Sequence, residues 1–176
     1  MAFRLASIPT SVFTAGLPSA VIGSRMAAFA MGTTLNAGPF YTPWRVPLDL
    51  DRAAPIDCYA DFQCLNTNAL ANQIAVLVFG TTLAAATAIP TERLFTFNLA
   101  IPNPWTASHM LRVLLDDGSG HTIPANTVAA EDLLGFQLQR TPGAPADNFT
   151  QSLKPAAALT VRYKLKSGAG SGCCHV

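Results

Sequence analysis

No aspartate, glutamate or lysine precedes Asp49. Over residues 1–48 the only charged side chains are Arg4, Arg25 and Arg45; the rest is mainly Ala, Ser, Thr, Gly, Pro and apolar residues. Charge is scarce throughout. Asp, Glu, Lys and Arg make up 12% of the 176 residues, where about 25% is usual. Hydrophobic residues make up 50%. That balance excludes intrinsic disorder, which needs high charge and low hydrophobicity. A formal net charge of +1 excludes the field that gathers nucleic acid, so no nucleic-acid partner is expected. Three histidines, His109, His121 and His175, are too few and too scattered for a zinc signature, and neither a G-x-S-x-G elbow nor a phosphate-binding glycine loop occurs. No catalytic residues, no metal, no cofactor and no small-molecule substrate are expected.

The uncharged leading segment is expected to be ordered and therefore covered. Offsetting the backbone entropy of fixing it takes apolar burial of roughly 2,000–4,000 Å², an area typical of obligate assemblies. A secretory signal would offer Arg4, an apolar stretch and an Ala-Phe-Ala site at residues 28–30, but Pro9, Pro18 and Arg25 interrupt that pattern. The uncharged run from Leu5 to Ser24 has the length of a membrane span. Pro9, Gly16, Pro18, Gly23 and five Ser or Thr residues (Ser7, Thr10, Ser11, Thr14, Ser19) make it a poor helix, and no membrane partner is expected. The side chains expected to find shelter on other chains are Phe3, Leu5, Ile8, Val12, Phe13, Leu17, Val21, Ile22 and Phe29, with Arg4 and Arg25 pairing acidic groups of the partner.

From Phe40 onward a period of two takes over. Trp44, Val46, Leu48 and Leu50 alternate with Arg45, Pro47, Asp49 and Asp51. Ile56, Cys58, Ala60, Phe62 and Cys64 share one face, and Asp57, Tyr59, Asp61 and Gln63 the other. "NQIAVLVFGTT" is apolar on both faces, as a central strand is. Phe95, Phe97, Leu99 and Ile101 oppose Thr96, Asn98 and Ala100. "HMLRVLLDDG" reads as a strand ending in a hairpin turn at residues 116–118. Leu134, Phe136 and Leu138 oppose Gln137 and Gln139, and Leu159, Val161, Tyr163 and Leu165 alternate with Thr160, Arg162, Lys164 and Lys166. Only Thr127 to Leu134 offers room for a turn of helix. The pattern predicts an all-β fold: an antiparallel β-sandwich, jelly-roll-like, of about seven or eight strands with an extended N-terminal arm. Three regions follow: arm (1–39), sandwich (40–166) and glycine-rich tail (167–176).

Polar clusters read blandly. Asp49, Asp51, Asp57 and Asp61 would make a calcium site conceivable, yet the glycine of a calcium loop is missing; the preferred reading is a solvated sheet face relieved by Arg45 and Arg52. Cys58 and Cys64 lie roughly 20 Å apart along a strand, beyond the roughly 7 Å a disulfide spans, and read as buried small hydrophobes. Cys173-Cys174-His175 lacks the second pair of a zinc site.

The run "LLGFQLQRTPGAPADNFTQSLKPAAALTVRYKLK" has a strand ending in Arg, a loop with Asp-Asn and a last strand ending near a Tyr. With "PFYTPWRVPLDLD" upstream, it resembles tailed-bacteriophage head decoration (cement) proteins and small jelly-roll virion subunits, over about residues 40–166. The resemblance implies a virion protein on the capsid surface, assembled in the host cytoplasm. Its partners would be a major capsid protein and copies of itself, as a homotrimer. A small major capsid protein, or a receptor- or glycan-binding module of a phage spike or fibre, are the alternatives; the last would display Trp105 with Tyr59 or Tyr41.

Overall fold

The computed structural model describes residues 2–9, 19–22, 26–29, 40–64, 66–84, 91–107, 109–116, 118–142 and 144–167. They form ten strands: β1 (Phe3–Pro9), β2 (Ser19–Ile22), β3 (Met26–Phe29), β4 (Phe40–Arg45), β5 (Asp57–Cys64), β6 (Ile74–Ala84), β7 (Thr91–Ala100), β8 (Leu111–Leu114), β9 (Leu133–Arg140) and β10 (Leu153–Lys164). All pairings between strands are antiparallel. One sheet runs β2-β3-β10-β5-β8, with β1 also on β10, and the other runs β4-β9-β6-β7. From β4 to β10 only β6 and β7 are joined within a sheet; every other connection crosses between sheets. The chain is thus the all-β antiparallel sandwich that its alternation predicts.

Alternation also places the core. Cys58, Ala60 and Phe62 of β5 and Leu159, Val161 and Tyr163 of β10 face Leu77 and Phe79 of β6 and Leu134, Phe136 and Leu138 of β9. Phe79 stacks on Phe136 with ring centroids 6.1 Å apart, and Trp44 tilts onto Tyr163 at 5.9 Å. Strand β6 lies between β9 and β7, and Val76, on the face opposite Ala75, Leu77 and Phe79, is buried as well.

Three expectations are corrected. Strand β4 ends at Arg45 and the alternation fails after the buried Val46: Pro47 lacks an N–H for a ladder, a turn closes from Leu50 N–H to the Pro47 carbonyl at 3.3 Å, and Leu48 is exposed. Residues 116–118 do not close a hairpin. Gly118, at φ 94°, donates its N–H to Asp116 Oδ1 at 3.0 Å, and the chain leaves for the other sheet. Residues 127–134 hold no helical turn, because Asp132 Oδ2 accepts the Ala129 N–H at 2.7 Å and Glu131 takes φ 69°. β4 to β10 are seven strands, within the predicted seven or eight, and β1, β2 and β3 come from residues 1–39.

One inward position on β9 is charged. Arg140 continues the buried series Leu134, Phe136 and Leu138, and its side chain is 1% exposed while that of Asp147 is 3% exposed. The guanidinium grips the carboxylate with two prongs, Nε to Oδ2 at 3.0 Å and a terminal nitrogen to Oδ1 at 2.7 Å. It also donates to the carbonyls of Gln151, at 2.6 Å, and Phe149, and lies over the Phe149 ring at 5.4 Å. Asp147 Oδ2 accepts the Val76 N–H at 2.9 Å, and Asn148 Oδ1 accepts that of Ile74 at 2.6 Å. The loop between β9 and β10 is therefore stitched to the start of β6. Burial opposes ionisation of Asp147, but the hydrogen bonds from Arg140 and the Val76 N–H prevail and hold its carboxyl below the ordinary 3.8.

Arg140→Met strands the Asp147 charge in the core, so urea unfolding at pH 7 is expected to give about 3–5 kcal/mol less stability. A carboxyl with a depressed native pKa stabilises the fold above its unfolded pKa and loses that contribution as pH falls through the native value. Wild-type stability should therefore drop as pH falls below about 4, and Asp147→Asn, weaker at pH 7, should show a shallower decline.

Candidate assembly surface

Strand β1 brings part of the predicted arm onto the chain's own sheet. It pairs with β10 from Phe3↔Lys164 to Pro9↔Ala158, along the edge of β10 opposite β5. β3 takes over that edge at Ala28↔Ala156. Directly opposed residues share a face. Phe3, Leu5 and Ser7 thus sit on the outer face beside Lys164, Arg162 and Thr160, followed by Asp57, Tyr59 and Asp61 of β5. Ala6 and Ile8 turn to the core.

The structure separates the arm residues into groups. Phe3 is 57% exposed and Leu5 64%, whereas Ile8 is 5% exposed in the chain's own core. Arg4 donates to Asp49 Oδ2 at 3.0 Å, so its described acidic partner is internal. Val21 and Ile22 lie in β2 and Phe29 in β3, paired with each other's strand. Val12, Phe13, Leu17 and Arg25 lie outside the described residues, as does Cys173-Cys174-His175. Shelter for Ile8 comes from within because β10 has a free edge that a seven-residue strand completes.

Around Phe3 and Leu5 the outer face is a lattice of satisfied charges. Arg162 donates twice to Asp57 Oδ2, at 3.0 and 2.5 Å, and His121 Nδ1 meets Asp57 Oδ1 at 2.8 Å. The Arg162 guanidinium lies 5.5 Å from the Phe3 ring centroid and 5.7 Å from that of Tyr59, contacts that favour a cation over an aromatic face. Arg112 grips Asp61 with two prongs at 2.8 and 2.9 Å. Lys164 Nζ lies 2.7 Å from Asp51. Its hydrogen bond, with one from the Ala53 N–H, holds the Asp51 carboxyl below the usual value.

These pairings correct the carboxylate reading. Asp49, Asp51, Asp57 and Asp61 are each matched by a cation, and no metal-ligating group forms among the described residues. The cations are Arg4, Lys164, Arg162 and Arg112, not Arg45 and Arg52. Arg45 turns to the Glu131 carbonyl at 3.0 Å and Arg52 to that of Val128 at 3.0 Å. The nearby Ser119 hydroxyl donates to the His121 carbonyl at 3.2 Å. Cys58 and Cys64 are free and buried, and burial pushes both thiols up. Trp105 is 3% exposed and stacks on Phe149 at 6.3 Å. A cleft of about 320 Å³ opens between Leu83, Arg93, Ile123 and Val128, with Arg93 donating to the Thr122 carbonyl at 3.0 Å.

No family model matches the chain, and a search of curated proteins gives no match. Among solved structures, the bacteriophage CBA120 tailspike protein 4 enzymatically active domain is similar at 10% identity and TM-score 0.38, covering 90% of this chain and 19% of that one. The structure of infectious bursal disease virus Gx strain is similar at 13% identity and TM-score 0.33, covering 92% of this chain and 32% of that one. The chain spans under a third of the length of either, and likenesses this loose carry no functional argument. Among the described residues no helix is long and apolar enough to cross a membrane.

Ile8→Ala is expected to cost the isolated protein about 2–5 kcal/mol in urea unfolding, and Leu5→Ala less than about 0.5 kcal/mol. Equal effects would show that the two faces of β1 are not distinct. In the native protein Cys58 and Cys64 should resist alkylation until denaturant is added, as read by peptide mass spectrometry.

Proposed function

We propose that the chain is a structural protein of a virion, and more narrowly a decoration (cement) protein on the surface of a phage head. The observation that carries this reading is the exposure of Phe3 and Leu5, side by side on a strand locked in register against β10. Singly exposed apolar residues are ordinary. Here a phenylalanine and a leucine project from one face of a segment free of carboxylates and lysine, and the neighbouring charges on the sheet already satisfy one another. A partner surface that covers the two gains their apolar burial without having to desolvate an unpaired ion.

The mechanism is mechanical. The sandwich sits over junctions between major capsid subunits, and the leading strand presents Phe3 and Leu5 to a neighbour. Each full burial contributes roughly 1.5–3 kcal/mol, and contacts repeated between copies on one shell add by effective concentration. Whatever binds the assembled state alone stabilises it by mass action. The reading involves no catalysis, cofactor, nucleic acid or membrane.

A small major capsid protein is the second reading, since the same exposed pair would serve contacts within the shell; copy number against a separate coat protein distinguishes it. The spike or fibre reading needs an exposed aromatic cluster, and burial of Trp105 removes its leading member.

Deleting residues 2–39 would take Ile8 out of the core and confuse binding with folding. The direct test is the full-length double variant Phe3→Ser, Leu5→Ser in co-sedimentation with purified heads lacking the protein. Binding should fall by about a hundredfold, since each removed side chain is worth roughly a factor of ten. Unchanged binding by an equally stable variant would remove the leading strand from the mechanism.

A further inference from the structure

We propose that β7 is a self-assembly edge, to which a second copy of this chain adds its own β7 antiparallel about a two-fold axis. β7 pairs with β6 in unbroken register from Ile74↔Ala100 to Leu83↔Thr91 and has no other strand partner among the described residues. Ile101 donates its N–H to the Gln73 carbonyl at 2.9 Å. Successive residues alternate sides, so Arg93, Phe95, Phe97 and Leu99 also bond to β6. The N–H and C=O groups of Leu94, Thr96, Asn98 and Ala100 therefore point away from the sheet.

Proteins blunt such edges with short strands, proline or charge. The other edges here carry those devices. β2 and β8 have four residues each, and β8 holds Arg112; β4 contains Pro43; β1 contains Arg4 and ends at Pro9. β7 has ten residues, and from Leu94 to Ala100 it has neither charge nor proline. All four side chains of its outward-bonding residues are exposed and uncharged.

A second copy is the occupant because the strand complements itself. With Thr96 on the two-fold, the outward-bonding pairs are Thr96 with Thr96 and Leu94 with Asn98. Between them Phe95 lies opposite Phe97, twice by symmetry, at the closely spaced positions where aromatic cross-strand pairs are favourable. Both rings are half-buried and in contact within one chain, 6.4 Å apart. No like charges oppose each other between Leu94 and Asn98. The two four-stranded sheets would become one of eight strands.

The proposal goes beyond head binding and stands without it, because it uses another strand and is read on the isolated protein. It predicts a dimer, where the resemblance implies a trimer. Sedimentation equilibrium and native mass spectrometry of the full chain are expected to give twice the monomer mass. Thr96→Pro removes two outward N–H donors per dimer without touching the β6 ladder, and should weaken association about thirtyfold. Thr96→Lys, which puts like charges on the two-fold while leaving the backbone alone, should also weaken it, with the far-ultraviolet circular dichroism of the wild type. A monomeric or trimeric wild type, or dimers equally tight in both folded variants, would overturn the proposal. Loss of dimerisation with head binding intact, or the reverse, separates the two readings.

Discussion

A single buried ion pair fixes how the two sheets meet at one end of this sandwich. Arg140 leaves β9 pointing inward, and Asp147 returns to meet it from the loop that leads to β10. The same carboxylate caps a β6 amide, while the guanidinium also gathers carbonyls of Phe149 and Gln151. Two charges out of water are tolerable only when their remaining hydrogen-bonding groups are satisfied. Here the satisfaction comes from three backbone groups on two segments, β6 and the loop into β10, so the pair acts as a spacer of defined shape. It anchors the loop that leads into β10, and β1, β3 and β5 all pair with β10.

That dependence links the core to the outer surface. β10 serves β5 along one edge and β1, then β3, along the other. Its register against β5 shifts between Pro155 and Leu159: four residues advance on β10 while two, Phe62 to Ala60, advance on β5. The irregularity coincides with the point where its opposite edge passes from β3 to β1. Beyond it, Arg162 is held between Asp57 and the rings of Phe3 and Tyr59. Phe3 and Leu5 therefore stand out from a surface whose charges are already committed.

Much of this was legible in the sequence because a period of two is a robust signal. Cys58, Ala60 and Phe62 face inward, and Asp57, Tyr59 and Asp61 outward, as the alternation requires. The same parity carried one unread message: Arg140 follows Leu134, Phe136 and Leu138 at even spacing, which puts a charge in the core and asks for a partner. That the partner is Asp147 depends on how a loop closes, and no local pattern encodes it. β1 escaped notice for a related reason. Phe3 and Leu5 mark one face and Ile8 the other, so no clean stripe appears, and its partner β10 lies at the opposite end of the sequence. The carboxylates do not make one solvated face, since Asp57 is buried. Their cations were misassigned because opposite strands, not sequence neighbours, supply them.

The antiparallel union of β1 with β10 also has a temporal meaning. Residues 3–9 are synthesised about 150 residues ahead of the backbone groups they bond to, at residues 158–164. Until those emerge, the leading strand has no ladder and Ile8 no pocket. Contacts of such long sequence separation form slowly, and unpaired apolar strands are prone to aggregate while they wait. The nascent strand is thus obliged to stay unpaired until residues 158–164 have been made, a period in which a chaperone has the most to protect.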